Sequence, residues 1–500
     1  MNILDILSAV FSPQNLILMN VGLLIGFVFG AIPGLTGNLG IIISLPLTFS
    51  LSPIVAMTFL LGIAWGGGFG GSITAILVGT PGTAGAAATV LDGYPLAKKG
   101  HANKAIQMAL TASCIGGLIS AVCLILFSPI IAKVALLFGP PEYFMLAIFG
   151  LAIIGAVSGK SILKGIMVGC LGFLIGMVGL DNITGVMRFS FDSMYLFNGF
   201  EFISILLGVF AMSQVLVQVF EYIYISKNNE KVSNEVIASE DKLTKLEVKS
   251  SLKTIIKSSF IGSGIGAIPA AGPVIATFLS YNAAKNGSKH PENFGKGELE
   301  GIAAPEAANN AVTGAALIPM LTLGIPGSGI AATLMGALAI HGMSPGPMLF
   351  TDHGFEVYVI MFSLIVINIF MYVQGKALSK YFALVTKVPS SLITTALVIL
   401  CTAGCFSLRK APFDLYVLVG AGIVMYILIR LQFPAVPIVL GLLLGQLAED
   451  NLRSSLIMSD GSWLIFVTRP ISIVFILLTV VMLYGAFKQK SQDVKELGNK

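Results

Sequence analysis

Residues 26–37, GFVFGAIPGLTG, and residues 77–89, LVGTPGTAGAAAT, are apolar stretches cut by proline and glycine. The same pair returns in the same order at 262–273, GSGIGAIPAAGP, and at 323–333, LGIPGSGIAAT. Proline lacks the N–H that continues a helix, and glycine adopts dihedrals closed to other residues, so each stretch predicts a helix broken within apolar surroundings. Such breaks survive in a bilayer where neighbouring helices or a polar cavity satisfy the freed backbone groups. The four together predict an all-α polytopic membrane protein of two weakly similar halves.

The rest of the chain agrees. Of 500 residues, 56% are hydrophobic and 11% charged, against about 25% charged in soluble domains, and the mean hydropathy is +0.92. The net charge of +5 sits at the ends of apolar segments, where it orients helices, and forms no patch for nucleic acid. The five cysteines, Cys114, Cys123, Cys170, Cys401 and Cys405, lack a CxxC pair and read as packing thiols, so no metal site is expected. With about 20 residues needed per crossing, the apolar segments predict about ten to twelve transmembrane helices plus broken or re-entrant ones. The N-terminus has no basic stretch ahead of its apolar residues, so no cleaved signal peptide is expected.

Residues 226–257 carry seven Lys and five acidic residues and show no sustained apolar face. They read as a cytoplasmic linker between a membrane half at 1–225 and another at 258–500. Lys98, Lys99 and Lys104 follow the second break of the first half, whereas Lys285, Lys289 and Lys296 precede the second break of the other. If basic loops face the cytoplasm, corresponding elements point opposite ways, as in inverted repeats. Arg409 and Lys410 fit this scheme poorly.

Half-helix N-termini present free N–H groups and partial positive charge, suited to an anion, while freed carbonyls suit a small cation. The candidate substrate and ion residues are therefore Pro33, Gly34, Thr36, Gly37 and Asn38 at the first break, and Thr80, Pro81, Gly82 and Thr83 at the second. Pro269 and Gly272 mark the third, Pro326, Gly327 and Ser328 the fourth, and Ser72 adds a hydroxyl nearby. No Lys or Arg lies within a break, so an anion there would be held by backbone dipoles and neutral donors. By contrast, Gly62, Gly66, Gly70 and the glycines of 155–185, Gly172 among them, read as helix-packing residues.

Glu306, Asn309 and Asn310 share one helical face by their spacing and join the candidates. An ionisable group at the edge of an apolar run is a functional hypothesis; its alternative is a first-turn acid beside Pro305 at the water interface. Asp92 reads as a cap for the turn that follows it. Two catalytic patterns fail: in Gly342-Met343-Ser344-Pro345-Gly346 the proline removes the N–H an oxyanion hole needs, and the 155–161 run is one residue short of a P-loop. No enzyme activity, no cofactor and no ATP site are expected, and transport would draw on an ion gradient, H+ or Na+.

The blocks GAIPGLTGNLGIIISLPLTFSLSP, GGSITAILVGTPG, LDGYPLAKKGHANKAI, EGIAAPEAANNAV and LTLGIPGSGIAATLMGALAIHGMSPGPMLF resemble, in order, those of the large membrane subunit of the tripartite tricarboxylate transporters. The resemblance runs from about residue 20 to about 350 in motif. It implies a bacterial inner-membrane secondary transporter importing a small carboxylate, working with a periplasmic solute-binding protein and a small four-helix membrane subunit. The family's glycine-rich, GGSI, TPG and acidic-amide blocks fall on Pro33, Gly34 and Gly37; on Gly70, Gly71 and Ser72; on Thr80, Pro81 and Gly82; and on Glu306, Asn309 and Asn310. Gly79 and Thr83 depart from the Asn and Glu common around the TPG block. A stand-alone ion-coupled antiporter or channel is the competing reading of the same breaks.

Overall fold

The computed structural model describes residues 2–32, 34–157, 162–181, 183–228, 241–269, 272–379, 381–382 and 390–483. Pro33, residues 229–240 of the expected linker and most of the P-loop-like run lie outside the described residues. Two compact units form, and neither is a continuous stretch of chain. One holds 1–132 with 217–404, the other 133–216 with 405–500.

The chain opens with α1 (Ile3–Val10), α2 (Pro13–Ala31), α3 (Gly37–Ser44), α4 (Pro53–Leu77) and α5 (Val90–Leu96), which passes through a π turn into α6 (Ala102–Ala135). Then come α7 (Pro140–Val157), α8 (Ile162–Gly176), a two-stranded hairpin pairing Gly179 with Arg188, α9 (Phe202–Leu206) and α10 (Ser213–Asn228). The later part runs α11 (Lys245–Gly266), α12 (Gly272–Gly287), α13 (Leu299–Ala315), α14 (Leu317–Leu323), α15 (Gly329–Ile340), α16 (Leu349–Asp352) and α17 (Gly354–Leu378). It closes with α18 (Ser390–Arg409), α19 (Pro412–Arg430), α20 (Val436–Met458) and α21 (Ile465–Thr468).

The fold is thus all-α and polytopic. Among the described residues, six helical runs are long and apolar enough to cross a membrane: 13–31, 53–77, 90–135, 202–220, 354–378 and 412–430. Five shorter apolar helices lie at 37–48, 163–176, 329–340, 394–407 and 470–483, and those at 37–48 and 329–340 follow the first and fourth breaks.

In the first unit, glycine sets the closest packing. Gly22, Gly26 and Gly30 on α2 meet Gly62, Gly66 and Gly70 on α4, each series at the four-residue spacing that keeps one face. A Cβ at Gly26 would lie 2.4 Å from the Ile63 carbonyl oxygen, and one at Gly66 2.3 Å from that of Leu23. The packing reading of Gly62, Gly66 and Gly70 therefore holds, with the backbones in contact as in small-residue membrane interfaces. Trp65 and Phe69 on α4 are buried, with Phe69 edge-on against Phe27 of α2.

The start of α11 lies well before the apolar run expected from 258. Thr244 accepts the Glu247 N–H at 3.3 Å while the Glu247 carboxylate takes the Thr244 N–H at 2.8 Å, a reciprocal cap that starts a helix in polar sequence. Lys104 pairs with Glu247 at 2.9 Å. Burial raises the Glu247 carboxyl, but the Thr244 N–H and hydroxyl and the Lys104 ammonium outweigh it, bringing it to about 2.

In the second unit α8 packs on α20, where a Cβ at Gly172 would lie 1.9 Å from the Ile438 carbonyl oxygen and one at Gly441 2.0 Å from that of Gly169. Asp181 at the hairpin gathers Arg453 at 2.5 Å and Arg188 at 3.9 Å. The Arg453 hydrogen bond, then the Ile183 N–H, hold its carboxyl well below the usual range. Arg409, the misfit of the charge pattern, is paired with Glu201 at 2.6 Å.

Candidate functional site

The four breaks are joined by contacts within the first unit, and α4 carries the first two. Helix α2 ends at Ala31, Ile32 turns extended, and Thr36 caps α3 by accepting the Leu39 N–H at 3.2 Å. A Cβ at Gly67 would lie 2.3 Å from the Gly37 Cα, so the start of α3 rests on α4. One turn further along the same face, the Gly71 carbonyl accepts the Gly82 N–H at 3.1 Å. Residues 67 and 71 are about 6 Å apart along a helix, which sets the separation of the two breaks along α4.

The other two breaks close on this pair. A Cβ at Gly85 would stand 2.0 Å from Asn309 Oδ1 and 3.2 Å from the Pro273 side chain, which brings the second break against the third and against α13. Ser328 caps α15 by accepting the Ala331 N–H at 3.2 Å. One turn on, Thr333 donates to Asn38 Oδ1 at 2.9 Å, linking the fourth break to the first.

Two caps, Thr36 and Ser328, thus occupy equivalent places, each a hydroxyl after a Pro-Gly at the head of a short apolar helix. The remaining N–H groups of each first turn have no partner within the helix. Thr36, Thr80 and Pro81 are exposed, while Gly82, Thr83, Pro269, Gly272 and Ser328 are half-buried and Pro326 and Gly327 buried. The left-handed backbone lies at Gly34, Gly79, Gly272 and Gly324, with φ of 84°, 76°, 72° and 70°. Gly82 and Gly327 have ordinary φ, and their constraint is space: a Cβ at Gly82 would fall 2.4 Å from Thr74 Oγ1, and one at Gly327 3.0 Å from the Ala316 Cβ.

Glu306 is not a first-turn acid at the interface. Pro305 lies inside α13, and Glu306 is fully buried in the middle of that helix. Its Oε1 accepts from Thr89 Oγ1 at 2.5 Å and its Oε2 from Ser113 Oγ at 3.0 Å. Ser72, also fully buried, lies beside the same carboxylate, its hydroxyl without a hydrogen-bond partner. The shared face of α13 divides: Asn309 turns toward Gly85, and the Asn310 amide donates back to the Glu306 carbonyl at 3.3 Å.

Thr89 and Ser113 escaped the sequence reading. Both are hydroxyls in apolar runs, and most such hydroxyls bond a carbonyl of their own helix, as Thr74 does to Gly71 and Ser120 to Gly117. Asp92 does cap a turn, but a distant one: it accepts N–H bonds from Gly295, Gly297 and Glu298 at 2.8–3.0 Å and the Tyr281 hydroxyl at 2.8 Å. It thereby holds the approach to α13, and a Cβ at Gly301 would strike its carboxylate.

Apolar helices broken at paired points, with neutral polar groups gathered at the breaks, define a membrane transporter. The chain belongs to the tripartite tricarboxylate transporter TctA family, whose family model matches residues 16–440. An uncharacterized 52.8 kDa protein in the TAR-I ttuC' 3' region of Agrobacterium vitis is 36% identical over 461 residues, covering 92% of this chain and 91% of its own length. An uncharacterized protein in the TAR-II ttuC' 3' region of that organism is 38% identical over 211 residues, 42% of this chain and 87% of its own. No solved structure matches the chain.

Proposed function

We propose that this chain is the large subunit of a secondary transporter in a bacterial inner membrane, importing a small carboxylate at the expense of an H+ or Na+ gradient. It would receive substrate from a periplasmic solute-binding protein and work beside a small four-helix membrane subunit. The observation that carries the reading is the series of contacts that joins the four Pro- and Gly-containing breaks, which offers half-helix N–H groups and hydroxyls to a carboxylate without a permanent cation. A site of that kind holds an anion by neutral donors that need not be neutralised on release.

The two halves are proposed to be inverted repeats meeting at these breaks. Contacts in the first unit support this: Lys99 Nζ donates to the Lys296 carbonyl at 2.6 Å, so basic loops of both halves lie together. Thr48 Oγ1 meets His341 Nε2 at 3.0 Å, joining loops of both halves that lack Lys and Arg. Lys104 and Glu247 bring the end of the linker to the basic loops.

Uptake of labelled di- and tricarboxylates by cells carrying this chain, with and without the binding protein and small subunit, tests the reading. Accumulation of at least one carboxylate only when all three are present is expected. Equal uptake by this chain alone would favour a stand-alone carrier.

A further inference from the structure

The carboxylate of Glu306 is held by hydroxyls from two separate elements, Thr89 from the turn before α5 and Ser113 from α6, with Ser72 of α4 beside it. No cation balances it among the described residues. Helix α4 has no ionisable side chain. On the other elements packed around α13, Asp92 is taken by Tyr281 and the 295–298 backbone, Lys104 by Glu247, and Cys114 by the Asn368 carbonyl. Glu300 on α13 itself, Lys285 on α12 and the α11 lysines make no ion pair with it among the described residues. A buried charge without a counter-ion is costly, so this group gains by taking up a cation.

The hydroxyl geometry favours a proton. A hydroxyl donates or accepts at the same distance, so Thr89 or Ser113 serves both forms of Glu306 without moving a heavy atom. With the proton on Oε1, that oxygen donates to Thr89 Oγ1; with the proton gone, Thr89 donates back. A sodium ion would need the same hydroxyl oxygens turned away from the carboxylate to face the metal. Ser72, buried and unpartnered, is a third oxygen through which the proton can arrive or leave.

We propose that Glu306 is the proton-carrying residue of this transporter, protonated and deprotonated once per cycle within its cage of hydroxyls. The proposal deepens the transport reading above and rests on it for its role, but its titration can be measured without any substrate. Infrared difference spectra of the full-length purified protein, recorded between acid and alkaline pH in sodium and in choline buffers, read the C=O stretch of a protonated buried carboxyl. Wild type is expected to show such a band in both buffers and Glu306→Gln to lack it. Thr89→Ala, which keeps the carboxyl and removes a partner, should shift the band, and this covers the case in which the Gln variant does not fold.

A wild-type protein with no such band at any pH would overturn the proposal. So would sodium abolishing the band and raising the melting temperature of wild type but not of Glu306→Gln, which would make Glu306 an alkali-cation ligand. In vesicles holding the full system, a gradient of one pH unit drives about tenfold accumulation per proton, and Glu306→Gln should lose it. Absence of transport for every carboxylate tried would count against the transport reading and leave the infrared result standing.

Discussion

At Gly82 the chain has no room for a side chain: a Cβ would lie 2.4 Å from Thr74 Oγ1 and 2.8 Å from the Gly30 carbonyl oxygen. Gly82→Val is therefore expected to abolish carboxylate uptake at normal membrane expression. The control is Gly68→Ala, since nothing lies within 4 Å of a Cβ there. Gly172, a packing glycine by sequence, would not serve, because its Cβ would meet the Ile438 carbonyl at 1.9 Å. Uptake by Gly82→Val equal to that by Gly68→Ala would remove the second break from the site. Thr36→Ala, which unseats the cap of α3, should destabilise that helix by about 1 kcal/mol, visible as faster hydrogen exchange over 37–42. Sequence alone located the breaks because proline and glycine act locally. It could not rank Gly82 against Gly172, since the space around a glycine is decided by residues far along the chain.

At the scale of elements, α2 and α4 approach so closely that their glycines cannot be replaced singly. Gly26→Ala would set a methyl 2.4 Å from the Ile63 carbonyl oxygen, and overpacking of this kind costs about 1–3 kcal/mol. The melting temperature in detergent should fall for Gly26→Ala and hold for Gly68→Ala; equal values would mean the two helices separate at no cost. Helix α11 allows a test by pH. Glu247 has its carboxyl lowered from 4.5 to about 2 in the folded protein, so its stabilising effect is complete above about 4.5 and disappears as pH falls toward 2. Protection at 245–250, taken as exchange relative to the intrinsic rate at each pH, should therefore fall over that acid range in wild type and stay level in Glu247→Gln. The cap was readable as Thr-x-x-Glu, yet its position inside a charged stretch led to a linker reading there. Lys104, more than a hundred residues earlier, supplies the ion pair that polar composition conceals.

For the whole molecule, membrane class and all-α fold follow from composition, which needs no partner residues to interpret. The arrangement of the compact units does not follow from it, because each is assembled from segments on both sides of the linker, and periodicity carries no information about which distant helices meet. The cage around Glu306 was half legible: the acid stood out, while Thr89 and Ser113 looked like any hydroxyls in apolar runs. Single cysteines near Lys98 and Lys289, in a background lacking the five native ones, should resist an impermeant thiol reagent in intact cells, whereas one near Pro345 should react. Labelling at Lys98 with protection at Pro345 would overturn the inverted arrangement.

Asp92 has a consequence for how the protein is made. Its four donors, Tyr281, Gly295, Gly297 and Glu298, are all translated after it, so the first half emerges from the ribosome with this carboxylate unmated. Until α13 arrives, Thr89 and Ser113 likewise have no Glu306 to hold. Biogenesis therefore passes through an incomplete stage whose length is set by the time needed to translate 206 further residues, up to Glu298. Residues 1–225 and 226–500 produced from separate messages should each be short-lived alone and persist together, with Asp92→Ala removing that mutual protection.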